Sequence, residues 1–477
     1  METARRIMAV LAAAGHEAYI VGGAVRDLLC GVQPKDIDIA TDAVPADIMA
    51  LAGGQGWKAV PVGAAFGVVA IVADGRTYEV ATFRSECYGA DSHRPAAVTL
   101  GVSLAEDLAR RDFTINAMAM DSGGMIVDLF RGQEDLAAGI IRTVGRPEER
   151  FAEDGLRMFR AARFAARLGF ALASDTYRAI PANLGRVSGL SVERVRAEIE
   201  KTLQAEFAAQ GLAIMMQTGL LAARCQVKER GQAHFVPVIE ELCHLEGLAQ
   251  NPRYHRLDAW QHTLAVVALT PREPVLRWAA LLHDVAKGWP AVRTVNREGR
   301  PSDPGHDKAG AAAAGEILDR LRVERSLRER VAWLIRHHLV FPAAERAAVL
   351  KWLKRLAGEF KTAEQFKAAL SQLFALHKAD RLGGHTQPDL AGLEAVQTIA
   401  QILLDEVPLF VSQLALSGRE IAAKLGSGAA VGLFQQDLLI RIQSGQLLND
   451  RNTLLAALEA RVRRLQRNRP KENSGQE

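Results

Sequence analysis

The feature that most constrains this chain is a glycine pair followed closely by a pair of aspartates. An apolar run ends on Gly22 and Gly23, a short helical segment follows, and the chain returns with Asp36 and Asp38. Side chains alternate along a strand, so the two carboxylates share one face and the isoleucines beside them point to the buried face. Such a pair, opposite a glycine turn whose amides favour anions, is suited to holding Mg²⁺ against phosphates. The simpler alternative is a solvated acidic loop.

A β-hairpin is predicted downstream, because two alternating runs, 66–72 and 77–83, flank an Asp-Gly dipeptide at residues 74–75. The second run would bring Glu79 to the metal site as a third carboxylate, unless it is simply an exposed strand residue. The polar residues 84–99 predict a loop.

Composition limits the class of protein. A chain of 477 residues with 49% hydrophobic content predicts roughly three or four globular domains. The net charge of +4 is small, so any nucleic-acid contact depends on local basic patches. Four cysteines without metal-ligand spacing indicate reduced thiols in a cytoplasmic protein. No run is long enough to span a membrane, and nothing indicates a protein partner.

A second polar cluster lies at a predicted loop-to-helix boundary and consists of Arg110, Arg111, Asp112 and Asn116. The arginines could hold phosphate, and the aspartate and asparagine could contact a ribose. Arg26, on the first helical turn after the glycines, could bind a triphosphate oxygen in the same way. A helix start with arginines can equally be a solvated surface.

A third cluster lies in the helical stretch 147–205, where Arg157, Arg160 and Arg163 recur at intervals of three and Asp154 precedes them by about one turn. A carboxylate and a guanidinium together can read a base edge. Arginine donates to O2 and N3 of cytosine, and the exocyclic amine of cytosine or adenine donates to the aspartate. These residues would select bases without a template; a solvated basic face is the alternative.

The motifs GGAVRDLLCG…DIDIAT, RRDFTINAMA and EDGLR resemble those of class II CCA-adding tRNA nucleotidyltransferases and the related bacterial poly(A) polymerases. The resemblance implies addition of nucleotides from CTP and ATP to the 3′ end of tRNA. It also implies Mg²⁺ at Asp36 and Asp38, with the triphosphate held by Gly22, Gly23 and Arg111 among others. Poly(A) polymerase remains the alternative. Against it, the segment VGAAFGVVAI lacks a cluster of basic residues like the one that marks those polymerases around this strand. The motifs leave open whether CC, A or CCA is added.

Histidines and aspartates accumulate further along, in the order His262, His283, Asp284, Asp380. This order resembles the HD phosphohydrolase superfamily, in which His306 and His337 would correspond to additional ligands. Imidazole and carboxylate ligands suit a transition metal such as Ni²⁺, Mn²⁺ or Co²⁺, or a two-metal site that activates water against a phosphoester. Structural histidines in a body that only supports RNA are the alternative.

The resulting expectation is an α+β chain, with a nucleotidyltransferase-type mixed-sheet head followed by an all-α neck, an HD-type body and a tail. We expect the head at 1–142, the neck at 143–205, a helical connector at 206–250, the HD-type domain at 251–392, and a helical tail that contacts tRNA at 393–477. The alternative from another class is a phosphohydrolase whose head only binds RNA.

Overall fold

The head is built on a mixed sheet. The computed structural model describes residues 1–63, 66–88, 95–229, 231–384, 388 and 390–467. The elements of the head are α1 (Glu2–Ala13), β1 (Ala18–Val21), α2 (Gly23–Leu29), β2 (Asp38–Thr41), α3 (Pro45–Gly54), β3 (Lys58–Gly63), β4 (Val68–Ala73), β5 (Arg76–Thr82), β6 (Arg84–Tyr88), β7 (Pro95–Leu100), α4 (Leu104–Ala109), β8 (Met118–Met120), β9 (Ile126–Asp128), α5 (Gly132–Ala138) and β10 (Ile140–Ile141). Seven of the described strands pair in the order β3-β4-β5-β2-β1-β8-β9, and β2 lies parallel to β5.

The hairpin predicted around the Asp-Gly dipeptide is confirmed. Strands β4 and β5 are antiparallel, and both Asp74 (φ 50°) and Gly75 (φ 72°) adopt positive φ at the turn, as tight hairpins require. The loop predicted at 84–99 is wrong in part, because β6 and β7 pair as a second hairpin. The central part of the predicted loop, residues 89–94, lies outside the described residues.

The neck is a group of packed helices. Its elements are α6 (Pro147–Glu153), α7 (Leu156–Leu168), β11 (Ala171–Leu172), α8 (Ser174–Ala182), α9 (Val192–Leu203) and, beyond the expected boundary, α10 (Ala208–Gln217). The expected helical connector also contains a hairpin of β12 (Arg224–Glu229) and β13 (Gln232–Pro237). Alternation explains the difference, since Cys225 and Val227 are buried and their neighbours are not, and this two-residue period is that of a strand.

The body and tail are predominantly helical. Their elements are α11 (Ala259–Leu269), α12 (Pro274–Leu282), β14 (Thr294–Val295), β15 (Pro301–Ser302), α13 (His306–Arg320), α14 (Arg325–His337), α15 (Arg346–Ala357), α16 (Ala363–Gly384), α17 (Leu390–Glu406), α18 (Gly418–Leu425), α19 (Ala429–Gln443) and α20 (Arg451–Arg467). Neck and body share one hydrophobic core, whereas the sheet of the head and helices α18 to α20 have cores of their own. Among the described helices, none has the length and apolar character needed to cross a membrane.

Candidate active site

The two aspartates of the opening motif lie where β2 begins, on the exposed side of the chain. Asp36 and Asp38 are exposed, and the isoleucines that alternate with them are buried. Val21, the last residue of β1, pairs with Asp38, so the glycine turn follows directly beside the second carboxylate. The strand pairing therefore sets the aspartates next to the glycines.

Glu79 lies in β5 as the register partner of Asp38, and both side chains are exposed on the same face. The pKa of Asp38 is raised by partial burial and by the neighbouring carboxylates of Glu79 and Asp36, although the Arg111 guanidinium acts to lower it. Carboxylates that repel one another in this way fit a divalent cation with oxygen ligands.

Arg111 lies directly over the glycine turn. A Cβ at Gly22 would come within 2.9 Å of its Nη1, so any side chain there would displace the guanidinium. Asp107, one turn earlier, binds Arg111 at 3.0 Å and Arg110 at 2.7 Å, and Glu86 of β6 accepts from Arg110 at 2.9 Å. Buried Asp107 and Glu86 thus hold the guanidinium groups of Arg110 and Arg111, of which that of Arg111 lies at the glycine turn. Neither carboxylate was predicted from the sequence.

Arg26 is buried beside the glycine turn, where a Cβ at Gly23 would lie 3.4 Å from its Nη2. Its side chain is 2% exposed, its guanidinium donates to Asn116 and Asp27, and it lies 5.3 Å from the ring centre of Phe164. These contacts connect α2 to Asn116 and to the neck helix α7. Direct binding of triphosphate oxygens by Arg26 stays a prediction.

Asp112 is also held between head and neck. It accepts from Arg160 Nε at 2.8 Å, from Asn116 Nδ2 at 3.1 Å and from the Phe113 amide at 2.9 Å. Burial alone would raise the pKa of Asp112, but the Arg160 guanidinium and these hydrogen bonds bring it below its usual value. The carboxylate is therefore ionised and fixed at neutral pH.

The candidate base-reading residues lie at the start of α7. Asp154 lies between α6 and α7, and its carboxylate accepts from the Leu156 amide at 3.0 Å. Arg157, with a side chain only 7% exposed, donates to Glu153 and to the carbonyls of Arg150 and Arg110.

Arg163 lies further along α7 and is bound to Glu198 of α9. Neighbouring protein groups thus fix the side chains of the candidate base-reading residues, Asp154 and Arg157, and that of Arg163.

A cavity of about 610 Å³ brings these groups together. All the head and neck candidates for catalysis and nucleotide binding line it, whereas Glu79 is not among its lining residues. Arginine supplies eight of the lining residues and aspartate or glutamate five, a surplus of three positive charges. This cavity suits an anionic ligand with a base at the neck end and phosphates at the glycines.

A second group of polar residues is buried in the body. His262 Nε2 lies 3.0 Å from Asp380 Oδ1, and His283 Nε2 lies 3.2 Å from Asp284 Oδ2. The other oxygen of Asp284, Oδ1, faces His306 at 3.2 Å and His338 at 3.8 Å.

Two sets of three potential ligand atoms therefore share Asp284. The first set is formed by His262, His283 and Asp284. The second is formed by Asp284, His306 and His338. The four ligands predicted first, His262, His283, Asp284 and Asp380, lie close together. His306, predicted as an additional ligand, lies beside Asp284.

The prediction of His337 as a further ligand does not agree with the structure. His337 lies 3.0 Å from Glu359 and against Trp333, and the next residue, His338, faces the aspartate instead. Consecutive residues of a helix point about 100° apart, and here it is His338, not His337, that points toward Asp284.

The chemistry of this group fits a divalent metal. The Nδ1 atoms of His283, His306 and His338 lie 2.6 to 2.9 Å from backbone carbonyls. A neutral ring that donates through Nδ1 presents its Nε2 lone pair to the oxygens of Asp284, an arrangement that a cation between them relieves. Lys287 Nζ lies 2.7 Å from Asp284 Oδ2 and, with Asp284, lines an adjacent cavity of about 340 Å³.

Comparison with known proteins decides the family. Three family models match: "Poly A polymerase head domain" at residues 18–142, "Probable RNA and SrmB- binding site of polymerase A" at 169–223, and "HD domain" at 258–381. The CCA-adding enzyme of Geobacillus thermodenitrificans (strain NG80-2) is 41% identical over 317 residues, 62% of this chain and 78% of that protein. The CCA-adding enzyme of Limosilactobacillus fermentum (strain NBRC 3956 / LMG 18251) is 35% identical over 460 residues, 96% of both chains. The chain belongs to the CCA-adding enzymes.

A solved structure agrees with this assignment. The crystal structure of the Bacillus stearothermophilus CCA-adding enzyme in complex with CTP matches with a TM-score of 0.67 and 29% identity, over 98% of this chain and 99% of that one. The expected α+β fold and tRNA nucleotidyltransferase family are thereby confirmed. Members of this family need a divalent metal, and relatives of this name favour CCA addition over the poly(A) polymerase alternative.

Proposed function

We propose that the head and neck transfer nucleotides from CTP and ATP to the 3′ end of tRNA, with release of pyrophosphate. The observation that carries this proposal is that one arginine-rich cavity has the two aspartates at one end and the neck residues at the other. The free cysteines support the cytoplasm as the compartment of the reaction.

Asp36 and Asp38, with Glu79 beside them, would hold two Mg²⁺ ions, which when bound lower the pKa of the tRNA 3′-hydroxyl and neutralise the leaving pyrophosphate. Arg111, fixed by Asp107 over Gly22, binds the triphosphate and orients its reacting phosphorus. The protein does no covalent chemistry in this scheme, because phosphoryl transfer is mainly a matter of positioning and charge.

Base selection is assigned to the start of α7. Asp154 accepts from the exocyclic amine of cytosine or adenine, and Arg157 donates to the ring nitrogen or carbonyl. Uracil and guanine carry a carbonyl where the amine would be, so they meet the aspartate with acceptor against acceptor. This explains selection of CTP and ATP without a nucleic-acid template.

Replacement of either aspartate tests the metal assignment. Asp36→Ala and Asp38→Ala should each lower nucleotide transfer at least about a hundredfold. Thermal stability should be unchanged or higher, because like charges are removed from a cluster that raises the pKa of Asp38. The control is Asp47→Ala, an exposed aspartate of α3, which should transfer like the wild type. Substantial transfer by either active-site variant contradicts the assignment.

The tail is proposed to contact tRNA. Arg441, Arg461 and Arg464 border a groove of about 590 Å³ between α19 and α20, and basic side chains on one face attract phosphates. Charge reversal of Arg461 should weaken tRNA binding at low salt and leave the KM for CTP unchanged; equal tRNA affinity contradicts this role.

A second candidate function, phosphoester hydrolysis, is favoured by the two ligand sets that share Asp284. His262, His283, Asp284 and Asp380 would hold Ni²⁺, Mn²⁺ or Co²⁺, which when bound activates water. Lys287 neutralises charge beside Asp284 and offers an ammonium to a phosphate in the cavity.

The double variant His283→Ala/Asp284→Ala should lose metal-dependent hydrolysis of a 2′,3′-cyclic phosphate or small phosphoester. Nucleotide addition should persist, because the head uses other residues and oxygen ligands. If the wild type hydrolyses nothing with Mg²⁺, Mn²⁺, Ni²⁺ or Co²⁺, the second function is rejected and the histidines are structural.

A further inference from the structure

The carboxylate of Asp154 has two separate partners, one for each oxygen. Oδ1 accepts from the Leu156 amide at 3.0 Å, and Oδ2 lies 3.2 Å from a guanidinium nitrogen of Arg194. Arg157, the expected companion of Asp154, is bound instead to Glu153 and to backbone carbonyls. Because each oxygen has its own contact, both the position and the plane of the carboxylate are fixed. With one contact alone, the carboxylate could still rotate.

Arg194 comes from a different helix, and its own position is fixed. It lies in the first turn of α9, where the hydroxyl of Ser191 caps the helix by accepting from the Arg194 amide. The Gln226 amide of β12 donates to Leu190 at 2.7 Å, just before this cap. The hairpin thus anchors the start of α9, and Arg194 reaches from it to the neck cavity that it lines together with Asp154.

The start of α7 is also held in place by the chain segment that precedes α9. A Cβ at Gly155 would lie 2.9 Å from the carbonyl oxygen of Arg186, so the backbone beside Asp154 packs directly on the 3₁₀ helix Leu184–Gly189 that precedes α9. The ion pair therefore spans two elements that cannot separate easily, and it is partly screened from water, with side-chain exposures of 36% for Arg194 and 17% for Asp154.

We propose that Arg194 is a positioning residue for base selection, which holds the carboxylate of Asp154 in place and aims it at the exocyclic amine of the incoming base. A carboxylate oxygen has two lone pairs, so Oδ2 accepts from the guanidinium and from a base amine together. A carboxylate that is not held rotates to follow whichever donor is present and discriminates less against a base with a carbonyl at that position. The inference rests on the proposed base reading by Asp154 and adds the residue that sets its orientation.

The test compares Arg194→Gln with Arg196→Gln. Arg196 lies two residues further along α9 and contacts the carbonyl of Arg322 and Glu200 instead, so its variant is the matched control. The selectivity of Arg194→Gln for CTP over UTP and for ATP over GTP, measured as the ratio of kcat/KM values, should fall about tenfold or more. Inhibition by inorganic tripolyphosphate, which occupies only the phosphate end of the cavity, should be unchanged, a separation that general loosening of the fold would not produce.

Conservative replacement and Asp154→Ala complete the design. Arg194→Lys keeps the charge but offers one compact donor group, so its selectivity should lie between those of the wild type and Arg194→Gln. If Asp154→Ala loses selectivity and Arg194→Gln keeps it, the positioning role is overturned and base reading by Asp154 stands. If both variants keep wild-type selectivity, base reading by Asp154 fails as well. If Arg194→Gln does not fold, Arg194→Lys decides, and wild-type selectivity in that variant overturns the proposal.

Discussion

Replacement of Gly211 by alanine tests whether the tight crossing of the neck helices holds the base-reading residues in place. Gly211 lies inside α10, and a Cβ there would come within 2.7 Å of the Ala162 carbonyl oxygen, 2.8 Å of the Ala166 Cβ and 2.8 Å of the Thr202 Cγ2. The first two belong to α7 and the third to α9. Any added methyl group must therefore separate α10 from the two helices that carry Arg157 and Arg194.

The expected cost follows from two opposing effects. Alanine in a helix interior is favoured over glycine by about 1 kcal/mol, whereas overpacking costs about 1–3 kcal/mol. The upper end applies here, because one of the three atoms is a backbone oxygen that cannot rotate away. Gly211→Ala should therefore destabilise the neck by about 1–2 kcal/mol. Gly315, inside α13, has nothing within 4 Å of the corresponding Cβ position, so Gly315→Ala should stabilise by up to about 1 kcal/mol.

Hydrogen exchange measured by mass spectrometry reports the neck separately from the other domains. Peptides that cover α7 and α10 should exchange about tenfold faster in Gly211→Ala than in the wild type, because 1.4 kcal/mol corresponds to a factor of ten. In Gly315→Ala these peptides should exchange as in the wild type. Equal or slower exchange of the neck in Gly211→Ala would refute the reasoning from the close contacts.

Two further outcomes are expected. His338→Ala should lower the amount of Ni²⁺ or Mn²⁺ bound per chain, as measured by elemental analysis, whereas His337→Ala should leave it unchanged, and the reverse result would contradict the second ligand set. Alkylation of the native chain at pH 8 should modify the exposed Cys30 and Cys87 and spare Cys225, because burial raises the pKa of this thiol to about 11 and leaves roughly one thiolate in a thousand; rapid modification of Cys225 would show that it is not buried.

The sequence predicted the residues of the cavity better than it predicted their contacts. Asp36 and Asp38 followed from alternation along a strand, and Arg160 followed from helical spacing, since both patterns are local. Arg26 is engaged by Asn116, 90 residues further along the head, and by Phe164 of the neck, so its contacts depend on tertiary packing. Local patterns do not contain that information.

The cavity residues that the sequence did not predict were overlooked for the same reason, namely that their contacts depend on tertiary packing. Arg194 and Glu86 lie far along the chain from the residues that they bind, so neither belongs to a recognisable short motif. Asp107 was closer to detection, because it precedes Arg110 and Arg111 by one helical turn, a spacing at which opposite charges pair. In the body, only the helical phase separates His338 from its neighbour, and phase could not be fixed without knowing which helix face is buried.

Incubation with tRNA that lacks its 3′-terminal CCA tests the central claim most directly. The wild type is supplied with radiolabelled CTP, ATP, both of these, UTP or GTP, together with Mg²⁺. The 3′ ends of the products are sequenced, with Asp38→Ala as the inactive control. Growth of the tRNA by cytidine and adenosine residues with CTP and ATP, and none with UTP or GTP, is the result expected of the cavity. A long adenosine tail made from ATP alone, or no incorporation by the wild type under conditions where Asp38→Ala behaves identically, would contradict the account.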